Sequence, residues 1–107
     1  MNDQSNKPIS EQFRIVAKQW VDADNAARML EETKTAVLSQ KMAAQGDMPV
    51  SSAERNVKAS HEWRDFIASM VEARTVANRL KVQLEFIRMQ SHEQQSFEAT
   101  RRAEMKL

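Results

Sequence analysis

The chain has 107 residues and a net charge of +1, from sixteen basic and fifteen acidic residues, with one glycine, two prolines and no cysteine. A single glycine leaves too few turns for a sandwich or barrel, and no tight loop to cradle a dinucleotide or a phosphate. The lack of cysteine excludes disulfide scaffolds, thiolate zinc sites and thiol nucleophiles, and the near-neutral charge excludes a whole-body basic footprint for nucleic acid.

No apolar run approaches the roughly 20 residues needed to span a bilayer, and residues 1–7 are too polar for a secretory signal. The expectation is an all-α, cytoplasmic protein with no membrane partner. Residues 1–7 read as a flexible N-terminus and 8–107 as a single helical domain.

A first helix is predicted over about 10–45. Pro8 stands where a helix can begin, and Ser10 offers a cap. Its apolar residues are Phe13, Val16, Trp20, Ala23, Ala27, Leu30 and Val37. Steps of three and four as far as Leu30 place them on one stripe. Lys34 and Lys41 fall on the same stripe, so it becomes mixed near its end. Gly46-Asp47-Met48-Pro49 reads as a turn within a loop over 46–51. Ser51 and Glu54 have capping-box spacing, which predicts a short helix over 52–58. Ser60 is a natural N-cap, and Glu62 and Asp65 follow where the helix dipole favours acid. A kink is therefore expected at Ala59-Ser60, followed by a long helix from 61 to about 105.

That long helix carries the clearest pattern. Trp63, Phe66, Met70, Ala73, Ala77, Leu80, Leu84 and Ile87 alternate in steps of three and four without a miss. This is the seam of a coiled coil, and a lone helix cannot satisfy it. The natural partner is the first helix, folded back through the Gly46 turn. The fold class expected is an antiparallel helical hairpin with a short kinked middle helix and coiled-coil-like packing. Val71, Val82, Phe86 and Met89 lie off the seam, on the opposite side, with Thr75 and Asn78 between them. A helix apolar on two sides touches two neighbours, so these four residues are the expected interface of a homo-oligomer. Past Ile87 the heptad fails, and residues 90–107 read as a helix that projects or orders with a partner. Of the seven methionines, Met70 lies on a seam, and Met29, Met42 and Met89 flank one as gap fillers.

Catalytic chemistry finds no foothold. His61 and His92 are far apart, and neither belongs to a metal-binding arrangement, so no metal or other cofactor is expected. No strained turn presents a nucleophile and no glycine-rich loop builds an oxyanion hole or phosphate cradle. Residues 1–50 hold six basic against seven acidic side chains, and residues 51–107 ten against eight. Arg74, Lys81 and Arg88 recur every seven residues beside the seam, with Arg79 nearby and Arg101, Arg102 and Lys106 at the end. Over about 21 Å, three charges are too few for tight binding by one chain. Repeated in an oligomer, they become a surface that can follow a phosphate backbone. The alternative is that they are flanking charges paired with acids of the first helix such as Asp24, Glu31 and Glu32. Trp20, Trp63 and Phe66 all lie on seams and read as core rather than as base-stacking residues.

One further reading rests on helix order and local motifs. A helix ending in Glu32-Thr33-Lys34-Thr35-Ala36-Val37-Leu38 precedes a polar loop containing glycine. A short helix closed by Val57-Lys58-Ala59-Ser60 follows, and then a long helix opening on His61-Glu62-Trp63. Over roughly Trp20 to Ile87 this layout resembles the UvsY-related recombination mediators of bacteriophages. The resemblance implies a non-enzymatic ring that binds single-stranded DNA without sequence preference. It also implies that the ring loads a RecA-like recombinase onto strands coated with single-strand-binding protein, inside a bacterial host. The family's DNA contacts come from basic residues late in its first helix, which here are Lys34 and Lys41. Arg74, Arg79, Lys81 and Arg88 are added from the charge pattern alone. A coiled-coil structural or adaptor protein of a phage, with protein-only partners, is the competing expectation.

Overall fold

The computed structural model describes residues 6–106; residues 1–5, most of the expected flexible N-terminus, lie outside the described residues. The chain is all-α, with α1 over Ile9–Ala43, α2 over Val50–Lys58 and α3 over His61–Met105. Among the described residues there is no strand. Nor is any helix long and apolar enough to cross a membrane.

The helix ends follow from a few local bonds. The Gln12 N–H donates to the Pro8 carbonyl at 3.0 Å, and the Gln12 side-chain amide donates to the Lys7 carbonyl at 2.7 Å. Pro8 thus takes the capping position expected for Ser10, which lies inside the first turn. At the other end of α1 the N–H groups of Gln45 and Gly46 bond back to Met42 and Ala43, a tightened last turn. Gly46 follows with φ of 90°, a conformation that glycine adopts without strain.

The capping box expected at Ser51 and Glu54 does not form. Pro49 is the N-cap of α2, with φ −56° and ψ 143°, and no side chain caps the helix. Its carbonyl accepts from the Ala53 N–H at 3.0 Å. The ring presets φ for entry, so the helix starts at Val50, earlier than the serines suggest. Glu54 instead pairs with Lys58 at 2.8 Å. Ser60 does cap α3: its Oγ accepts from the Trp63 N–H at 3.2 Å and donates to the Val57 carbonyl at 2.6 Å. One hydroxyl thereby closes α2 and opens α3.

Contacts gather the chain into two compact units, one from residues up to Val21 together with Asn78 onward, the other Asp22–Ala77. In the first unit Val16, Leu84 and Ile87 form a buried cluster, with Ile9, Phe13, Ala17, Trp20 and Leu80 packed against it. Phe13 lies beside Arg88 and Trp20 beside Lys81, so the two helical stretches run antiparallel. In the second unit Ala27, Ala53, Val57, Trp63 and Ala77 are buried. Trp63 stacks on Phe66, with ring centroids 5.6 Å apart. Every seam position of α3 from Trp63 to Ile87 is buried or half-buried, because the steps of three and four keep them on one face. From His92 to Lys106 every residue is exposed.

Candidate interaction surfaces

The expected cation row does not stand as a set of equivalent charges. In the second unit the Arg74 guanidinium donates to both Glu31 oxygens, at 2.7 and 2.9 Å, and to Asp24 at 2.8 Å. Asp24 and Glu31 are seven residues apart on α1, so they flank one arginine from α3. A planar guanidinium suits this double acceptor, and the ion pairs raise its pKa further above an already high value. Of the two readings of Arg74, phosphate contact or pairing with acids of the first helix, the structure shows pairing with Asp24 and Glu31. The Arg74 hydrogen bond holds the Glu31 carboxyl below the ordinary range.

Lys34 is exposed and Lys41 half-buried on α1 in the same unit. In the first unit Arg79, Lys81 and Arg88 are all exposed. Among the described residues none of these five cations forms an ion pair within 4 Å. Their positions still differ. Lys81 and Arg88 share one flank, but Glu85 lies between them, four residues after one and three before the other. Arg79 precedes Lys81 by two residues and is turned about 200° around the helix. Proximity in sequence suggested a group, and helix geometry divides it.

Arg88 sits over the Phe13 ring, its guanidinium carbon 5.8 Å from the centroid. Beside it is a shallow concavity of about 130 Å³, lined by Trp20, Lys81, Leu84, Glu85 and Arg88. Trp20 is only half-buried there, although it packs on the core. The seam pattern marked Trp20 as apolar contact, and nothing in its spacing told how much of the indole α3 would cover. A larger groove of about 480 Å³ opens where α3 runs past the start of α1, between Ile9, Phe13, Ile87 and Gln94.

The expected oligomer residues are exposed. In the first unit Val82, Phe86 and Met89 are each more than half exposed and lie at i, i+4 and i+7 on α3. Val71, in the second unit, is likewise more than half exposed. Phe97 and Met105 are exposed further along α3. Among the described residues, no group of three or more histidines or acids is arranged to hold a metal ion. No protein-family model, no curated protein and no solved structure matches the chain.

Proposed function

We propose that the protein is a non-enzymatic assembly protein that works as a homo-oligomer in phage DNA recombination. In this reading the oligomer binds single-stranded DNA without sequence preference and assists the loading of a RecA-like recombinase onto strands held by single-strand-binding protein. The observation that carries the proposal is the apolar row Val82, Phe86 and Met89, exposed on the side of α3 away from the buried cluster. A helix that buries one apolar face in its own hairpin and leaves another in water gains from a second neighbour. Assembly then multiplies the contribution of Lys34, Lys41, Arg79, Lys81 and Arg88, which have no acidic partner within the described chain. Each cation adds a small phosphate contact, and repetition around an oligomer makes the sum useful. The mediator role itself rests on the resemblance in helix order.

Fluorescence anisotropy of a labelled oligonucleotide, across a salt series, tests the DNA half. For Z neutralised phosphates, log affinity falls against log salt with a slope of about −0.7Z. No binding at low salt by the intact oligomer would remove DNA from the account. A second reading, a structural or adaptor protein with protein-only partners, is favoured by the Arg74 ion pairs and by Glu85 between Lys81 and Arg88. It predicts the same assembly and sedimentation that does not respond to an oligonucleotide.

A further inference from the structure

We infer that Trp20 is a stacking platform for a nucleobase of single-stranded DNA, with Lys81 and Arg88 receiving the phosphates on either side. The inference rests on the DNA-binding reading and assigns it a place in the first unit. Four features converge on that place. The indole is half-buried: it packs against the Val16, Leu84 and Ile87 cluster and also lines an open concavity. The platform is thus held rigid by the core while remaining accessible, as stacking requires. The concavity, about 130 Å³, is well under the roughly 300–1,000 Å³ of small-molecule sites, so it suits a single ring rather than a whole ligand. Two cations line it, seven residues or about 10.5 Å apart along α3.

Glu85 also lines the concavity, four residues after Lys81 and three before Arg88. Its carboxylate stands between the cations and repels a phosphate from the middle of the site. The uncharged part of a nucleotide is left to lie over the indole, and the backbone is directed toward Lys81 and Arg88. Every base offers a ring face, so the site does not read sequence. Arg88 is already positioned over Phe13, which reduces the ordering required when it meets phosphate.

The chain has two tryptophans, and Trp63 is only 6% exposed. In a Trp63→Phe variant Trp20 is therefore the sole indole reporter. The probe is an oligothymidylate of about 20 nucleotides, enough for several sites. The expected result is quenching of Trp20 emission that saturates together with anisotropy of the labelled strand. An abasic strand of equal length should still bind through its phosphates but quench far less. In the full chain, Trp20→Leu should weaken oligothymidylate binding roughly 5- to 150-fold, the range for losing one stacked base. Trp20→Phe, which keeps a ring and most of the packing, should lose much less. Glu85→Gln should tighten binding. Binding without any change in Trp20 emission would overturn the stacking site while leaving the DNA-binding reading in place. An absence of binding by either strand would overturn both.

Discussion

Leu84→Ala tests the packing that holds the first unit together. Leu84 is 8% exposed and forms the buried cluster with Val16 and Ile87. The substitution removes three carbons from that cluster, which at ~0.8 kcal/mol each gives a transfer loss of about 2.4 kcal/mol. A cavity penalty adds to this in a closed core. Here it is small, because Leu84 also borders the concavity beside Trp20, where neighbours and water can close the gap. The expected cost is about 2–3 kcal/mol, at the lower end for leucine truncation. For a domain of this size that lowers the thermal midpoint by roughly 10–20 °C. Circular dichroism during thermal and urea unfolding, at fixed protein concentration, reads the change. Fixed concentration matters because association raises apparent stability by mass action. A loss below about 0.5 kcal/mol, the range of surface substitutions, would refute the assignment of Leu84 to the core.

Four further outcomes are expected. Val82→Glu should leave helix content unchanged but dissociate the oligomer, and an unaltered sedimentation profile would make the exposed row plain surface. Lys34→Glu combined with Lys41→Glu should weaken oligonucleotide binding and reduce the steepness of its salt dependence by about 0.7 per lost contact; unchanged affinity would remove α1 from the DNA surface. The Arg74 hydrogen bond keeps the folded-state pKa of Glu31 below its ordinary 4.5, so its stabilisation is present above that value and fades as pH falls through the lowered one. The gap in thermal midpoint between wild type and Glu31→Gln should therefore narrow as pH falls below 4.5, and a gap of the same size at neutral pH and in strong acid would contradict the pairing. Gly46→Ala should cost about 1 kcal/mol in unfolding experiments, since φ is 90° there while no atom within 4 Å would clash with the added carbon; no loss at all would speak against that conformation.

Much of the helix pairing within each unit was legible because one simple rule covers it. Steps of three and four from Phe13 to Leu30 and from Trp63 to Ile87 define two faces, and those faces are the ones buried. Ser60 was legible for an equally local reason, since a hydroxyl before an acidic first turn has few other uses. The prolines were harder. Pro8 and Pro49 each accept the first backbone bond of a helix, Pro49 with no side-chain cap, and serines two residues later looked like better candidates. The charged positions were the least legible. Arg74, Lys81 and Arg88 occupy the same heptad position, yet only Arg74 finds acids on both sides of it, because Asp24 and Glu31 happen to be one heptad apart on α1. That depends on the register between helices, which a single-chain pattern does not contain. Trp20 is similar: spacing assigns it to a seam, but its remaining exposure is set by what α3 places opposite it.

The central claim is that α3 has a second neighbour, met through the exposed apolar row. Light scattering or native mass spectrometry of the intact chain at micromolar concentration tests it most directly. The account predicts a discrete assembly at a multiple of 12.3 kDa that Val82→Glu reduces to single chains. A wild-type species of 12.3 kDa under the same conditions would contradict it.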